Sequence, residues 1–254
     1  MADWLNLTTG EFTTQPRIAV LPVAAVEQHG PHLPVGVDTH IAEAYLARVR
    51  ALLPAGSPAV ILPVQVVGAS DEHKAFPGTL TLAPETALHA FIEIGESIAR
   101  TGIRKLVIIN SHGGNLAIID LAARQLRVRL GMLAVHCSWG RFGFPDGQFT
   151  AAECTHGIHG GDIETSIMLA AYPDLVRREK IADFRPATYA MERDYRWLRA
   201  DFPAGFGWMT QDLHPSGAVG DASLASAEKG EAALDHGAKA FIELLKDVER
   251  FELA

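Results

Sequence analysis

KLVIINSHGGNLAIIDLAARQLRVRLGMLAVHC, Lys105 to Cys137, decides the fold. Lys105 to Asn110 is a short run of mostly apolar residues, the pattern of a strand buried on both faces. Asn115 to Leu130 reads as a helix, and Gly131 marks its end. Met132 to Cys137 is the next apolar run. A strand, a helix and a strand in such close succession imply a right-handed crossover, with the two strands parallel. The alternation continues outward in both directions. Ile18 to Val26 and Ala59 to Val67 read as strands, each interrupted by a proline, Pro22 and Pro63. Pro22 implies an edge position, a bulge or an early strand end. Thr39 to Leu53 reads as a helix with Asp38 or Thr39 as N-cap, and Pro84 to Arg100 as a helix opened by Pro84 and ended by Gly102. Ser138 to Ile158 reads as a loop and Gly161 to Ala171 as a helix. Ala222 to Phe251 is a closing helix with an expected interruption near Gly237. The expected class is α/β, a mainly parallel sheet flanked by helices on both faces, as one domain over residues 1–254.

Composition narrows the function. The 254 residues are 48% hydrophobic and 20% charged, ordinary for a globular chain with a filled core. A net charge of −8 without a basic run argues against nucleic acid as a partner. No apolar stretch is long enough to span a bilayer, and the N-terminus lacks the pattern of a signal peptide, so no membrane partner is expected. The only cysteines, Cys137 and Cys154, make no disulfide framework, and a cytoplasmic location is the expectation.

In open parallel sheets, ligands sit beyond the carboxyl ends of the strands. The first strand leads through LPVAAVEQHGPHLPVGVDT, Leu21 to Thr39, to Glu27 and His29, whose side chains share one side of an extended segment. Asp38 follows a loop rich in Pro and Gly. His112 stands just after the strand Lys105 to Asn110, which puts it on the same edge, and Gly113 and Gly114 allow close backbone approach beside it. Asn115 is placed to cap the next helix. In HGGDIETS, His159 to Ser166, Glu164 falls near the first turn of a helix as a possible ligand, with His159 before it as an acid or base. Carboxylate and imidazole donors suit zinc or manganese. Glu27, Asp38 and Glu164 set three negative charges against two dications. The remaining positive charge suits a hydroxide, the nucleophile of a hydrolase at neutral pH.

EQHGPHLPVGVDT, NSHGGN and HGGDIETS, in this order, resemble the creatininase family of metal-dependent amidohydrolases, and the likeness runs from the first strand through DLHPSGAVGDAS, Asp212 to Ser223. The resemblance implies a layered α/β fold, two divalent ions (zinc, manganese or both), and a hexamer. It implies metal ligands at Glu27, His29, Asp38, His112 and Glu164, with Asp38 bridging, and a general-acid role for His159. Glu72 and His73, in a loop that also resembles a family segment beside the site, are candidate substrate contacts, as is Gly113. Creatininase itself has an aromatic residue and a glutamate where this chain has Gly113 and Gly114. The expected activity is therefore cleavage of a C–N amide-type bond in a small polar molecule, cyclic ones included, without specificity for creatinine. The alternatives are a formamide, a peptide or a ring ketone at the same centre, or a non-catalytic binding subunit stabilised by metal. His32 and His40 are open between orienting a ligand and plain loop or helix-terminal roles. Trp139, Trp197 and Trp208 are expected in core or interface packing, and the irregular stretch Tyr172 to Asp221 is expected over the site or a neighbouring subunit.

Overall fold

A computed structural model describes residues 2–13, 17–54 and 56–253. Five strands, β1 (Ala2–Asp3), β2 (Ile18–Val23), β3 (Ala59–Ile61), β4 (Lys105–Asn110) and β5 (Leu133–Ser138), form one sheet in the order β1-β3-β2-β4-β5. Every neighbouring pair is parallel. Two helices are near their expected bounds, α2 at Pro84–Arg100 and α3 at Leu116–Leu130, and α1 spans Val37–Leu52. Gly131 closes α3 in the left-handed region at φ 66°, a conformation that glycine reaches without steric cost.

Period-two alternation sorts the central strand between two cores. Ile18 and Val20 of β2 join α1 and the closing helix α8 (Ala227–Arg250) on one face. Ala19, Leu21 and Val23 join α2 and α3 on the other. Phe241, Tyr45 and Phe91 are among the largest fully buried side chains. Each fully buried side chain of this size stabilises the fold by about 1.5–3 kcal/mol. Helices therefore cover both faces of the sheet.

Three expectations shift. Pro22 lies in a central strand, between β3 and β4, so the edge and bulge readings fail. β2 simply ends one residue after it, at Val23. Helix α1 starts two residues early, with Gly36 in the N-cap position and Asp38 inside the first turn. Asp38 does not cap because its carboxylate is turned into the buried site. The closing helix runs through Gly237 without interruption. A Cβ there would come within 2.5 Å of the Tyr45 ring, so this glycine lets α8 approach α1 closely.

The stretch read as a loop after β5 holds a 3-10 turn at Trp139–Phe142 and the short helix α4 (Ala151–His156). Helix α5 (Asp162–Ala171) follows and packs against α8. Beyond it, the irregular stretch contains α6 (Thr188–Asp194), α7 (Thr210–Leu213) and a small antiparallel pair, β6 (Asp183–Phe184) with β7 (Gly220–Asp221). No described helix is long and apolar enough to cross a membrane.

Candidate metal centre

Beyond the carboxyl ends of β2 and β4, the chain gathers its carboxylates and imidazoles. Glu27, His29, Asp38, His112 and His159 are all buried, and Glu164 is half-buried at the first turn of α5. Ser111, at the end of β4, donates its hydroxyl to the Asp38 carbonyl at 2.8 Å and so ties the loop of His112 to α1.

Among the described residues, four groups of donors converge, each within 4.8 Å. Two share Asp38, namely Glu27, Asp38 and His112, and His29, Asp38 and Glu164; the other two, Glu27, His29 and His159, and Glu27, Glu72 and His73, contain Glu27. Nδ1 of His112 lies 3.2 Å from Glu27 and 3.6 Å from Asp38, while Nε2 of His29 lies 3.7 Å from Asp38 and 3.8 Å from Glu164. Oε2 of Glu27, Nε2 of His29 and Oδ2 of Asp38 are buried without a hydrogen-bond partner. Orphaned buried acceptors of this kind are costly unless a cation satisfies them. The residues fit a divalent metal.

The ring protons agree. His29 donates from Nδ1 to the Glu27 carbonyl at 3.0 Å, and His112 donates from Nε2 to the Ala69 carbonyl at 2.8 Å. A carbonyl can only accept, so in the neutral ring the bare nitrogen is the one turned toward the carboxylates. That is how ligating histidines are commonly oriented. His159 is fixed in the same way: its Nε2 donates to the Gln28 carbonyl, leaving a bare Nδ1 at 3.5 Å from Glu27.

His73 differs. The Gln28 side chain accepts from the Gly30 amide through Oε1, so its Nε2 donates to Nδ1 of His73 at 2.7 Å. The His73 proton is therefore on Nε2, aimed at Glu27 from 3.3 Å. His73 steadies a carboxylate and presents no bare nitrogen. Glu72 lies 3.5 Å from His112 and fills the space beside Gly114, where a Cβ would meet its carboxylate at 2.6 Å.

Electrostatics follows from this crowding. Burial disfavours a charged His29, but Asp38, Glu164 and Glu27 outweigh it and raise the pKa to about 9. His112 rises to about 10 on the same balance, with Glu27 the main carboxylate. Burial raises Glu27, yet His112, His159 and His73 carry it below the usual carboxylate range. Asp38 is raised by burial and by Glu27, and Glu164 rises to about 7 chiefly through burial. His159 is held well below its ordinary value by burial and by His29 and His73, and burial takes His73 down to about 4.

A cavity of about 420 Å³ opens over the centre, lined by Glu27, Asp38, His112 and Glu164 below and by Ala200, Asp201, Phe206 and Trp208 above. All the expected ligand positions are thus brought together, along with His159, Glu72, His73 and Gly113. His32 and His40 are not part of the centre: His32 bonds Thr165 and stacks on Phe184, and His40 packs against Tyr172. Trp208 packs on a small cluster of Ala200, Leu213 and Val219 and also lines the cavity, and Trp139 is buried against Tyr45 as expected. Asn115 does not cap α3. Its amide binds Ala69 and Ala24 and joins two of the loops around the site. Sequence reasoning missed Gln28, whose position between Glu27 and His29 turns it to the opposite side of the segment, toward His73 and Gly217. Both cysteines are free, and burial pushes Cys137 up to about 12, which leaves it inert.

Carboxylates and imidazoles converging at the carboxyl edge of a parallel sheet form a site suited to a divalent metal ion. The sequence profile of the creatininase family, described as creatinine amidohydrolase, matches residues 5–245. The chain is 30% identical over 226 residues to a mycofactocin precursor peptide peptidase of Mycolicibacterium smegmatis, covering 88% of this chain and 82% of that one. It is 32% identical over 238 residues to a creatinine amidohydrolase of Pseudomonas putida, covering 86% and 84%. A solved manganese creatininase superposes with a TM-score of 0.77 at 28% identity, covering 97% of this chain and 98% of that one. The chain belongs to the creatininase family and is a hydrolase acting on carbon–nitrogen bonds.

Proposed function

We propose that the centre holds two ions, zinc or manganese, bridged by Asp38, and that it hydrolyses an amide-type bond in a small polar or peptide-like substrate rather than creatinine in particular. The observation that carries this reading is that Asp38 is shared by the Glu27–His112 group and the His29–Glu164 group, next to three orphaned buried atoms. Glu27 and His112 would hold one ion, and His29 and Glu164 the other. When bound, the ions polarise the substrate carbonyl and acidify water.

The protein's own groups do the rest. The N–H of His73 orients Glu27. Gln28 fixes His159 in the tautomer whose bare Nδ1 faces the centre, so the neutral ring can take a proton from the attacking water and return it to the leaving nitrogen. In balance, the amide and one water give a carboxylic acid and an amine. Gly113 and Gly114 offer no side chain to stack a flat ring or add a carboxylate, which favours substrates other than creatinine. The relatives support both directions, since one is named for a peptide and another for creatinine. A non-catalytic role is disfavoured because every donor position is filled.

The working unit we propose is one catalytic domain in a cytoplasmic homo-oligomer, six subunits by family resemblance. Exposed Tyr195, Trp197 and Phe202 give it apolar surface to cover. Light scattering at micromolar concentration tests the assembly, and a monomer overturns it. Elemental analysis after reconstitution tests the centre: about two ions per chain is the expectation, and less than about a tenth of an ion refutes it. An assay of zinc- and manganese-loaded protein against creatinine, small cyclic amides, short peptides and N-formyl compounds tests the chemistry. A specificity constant highest for creatinine would show the glycine argument to be wrong.

A further inference from the structure

A second and larger cavity, about 640 Å³, adjoins the one over the centre. His112, Gly113, Leu116, Ile158 and Glu164 line both, so the two chambers meet at the metal-binding wall. Their other walls differ. The smaller chamber carries Glu72, His73 and His159, with Phe206 and Trp208 above them. The larger is faced by Phe144, Phe149 and Ile163, with Arg141 and Asp146 also in its lining and the rings of Tyr45 and Trp139 almost wholly buried behind it. Phe144 and Phe149 meet edge to face at 4.9 Å, and Tyr45 stacks flat on Trp139 at 4.3 Å. A Cβ at Gly113 would meet nothing within 4 Å, so this residue faces open space where the chambers join.

We propose that the larger chamber is the acyl subsite, and that the substrates are amides with an aryl or branched apolar acyl arm. This rests on the hydrolase reading above. The orientation follows from His159. It lines only the smaller chamber, and it must reach the leaving nitrogen, so the amine arm lies there beside Glu72. With the carbonyl at the shared wall, the acyl arm has one direction left, past Gly113 into the aromatic chamber. Gly113 is thereby a specificity-determining residue, because any bulky side chain there would stand in the passage.

The test uses full-length, metal-loaded protein. Calorimetry with phenylacetate and acetate reads the acyl subsite without turnover, and phenylacetate is expected to bind at least about tenfold more tightly, from the apolar area removed from water. Gly140→Phe, at a lining residue whose added Cβ meets nothing within 4 Å, should fill the chamber and bring the two affinities together. Phe144→Ala is the second variant and should narrow the same ratio. In turnover, N-phenylacetyl-glycinamide should exceed N-acetyl-glycinamide by at least about tenfold in kcat/KM, and Gly140→Phe should remove that gain. Phenylacetate binding no tighter than acetate overturns the subsite, whatever the amides do. A phenylacetyl gain in turnover that survives Gly140→Phe but is lost in Trp208→Ala overturns the orientation. Tight phenylacetate binding with no amide hydrolysed leaves the subsite standing and sinks the hydrolase reading alone.

Discussion

The floor of the cavity and the wall above it differ in how firmly their side chains are held. On the floor, Glu27, His29, Asp38 and His112 are buried, and both imidazoles are pinned to backbone carbonyls. In the wall, Phe206 is 40% exposed, while Trp208 is anchored through its Nε1 to the Ala200 carbonyl at 3.0 Å. A floor built this way keeps its donors in one geometry and out of water, which is what ion binding and proton transfer require. A wall of exposed aromatic side chains supplies contact area without fixing the chemistry. The difference locates the reaction in the floor and part of the choice of substrate in the wall.

Four measurements can break or sharpen that division. Asp38→Asn should do the most damage, because Asp38 is shared by the Glu27–His112 group and the His29–Glu164 group. Metal affinity should fall by more than about a hundredfold, the loss that follows from disturbing only the outer partners of a ligand. Calorimetry and elemental analysis check it, and a variant that keeps both ions would remove Asp38 from the bridge. His159→Asn should lower kcat by roughly 10²–10⁴ while metal content stays full. Loss of the ions in that variant would instead make His159 a ligand.

The third measurement is pH. His29 and His112, at about 9 and about 10 without metal, carry protons at neutral pH and must lose them to bind an ion. Metal affinity should therefore rise with pH, by about tenfold per unit for each proton displaced, and level off above pH 9 to 10. The linkage to stability has the opposite sign. Because these pKa values are raised on folding, their contribution to the metal-free fold is complete below about pH 6.5 and is lost as pH climbs through 9 to 10. Titration with zinc at pH 6.5 and 8.5 checks the first statement, and thermal melts of stripped protein check the second. The smallest effect belongs to the wall. Trp208→Ala should raise KM by up to about tenfold, the worth of one aromatic contact, and leave kcat within about twofold. A large fall in kcat would place the wall inside the chemistry.

The sequence carried the floor well because its parts are local. KLVIIN and the run from Ile18 are apolar enough to be strands, and a parallel sheet brings their carboxyl ends to one edge, so Glu27, His29 and His112 were legible before any coordinates. Asp38 was legible as a donor but not in its place inside the helix. Capping preferences read only the local backbone, and they cannot see the neighbours that draw the carboxylate inward. Gln28 escaped because its role depends on His73 and Gly217, partners distant in the chain. The wall was legible only as an irregular stretch, Tyr172 to Asp221, expected over the site or a neighbouring subunit, and its lining residues were not. Residues 200–208 have no period, and they are held by irregular bonds within the stretch, the Arg199 amide to the Ala204 carbonyl and Trp208 Nε1 to the Ala200 carbonyl. Gly237 misled for a related cause, since a helix tolerates glycine where another helix must come close.

Gly114 and Glu72 share one volume. A Cβ at 114 would lie 2.6 Å from the Glu72 carboxylate, and also 2.5 Å from both the Ala69 carbonyl and Nε2 of His112. Neither the backbone oxygen nor the pinned imidazole can give way cheaply. The two positions therefore cannot drift independently over evolutionary time. A bulkier residue at 114 becomes tolerable only after the loop from Ala69 to Glu72 has moved aside, and truncating Glu72 alone does not make room. Single-step paths from this glycine pair to larger side chains pass through a variant worse than either end. The order of substitutions is then part of the inheritance of the site, and libraries that vary position 114 without the 69–72 loop should return glycine almost every time.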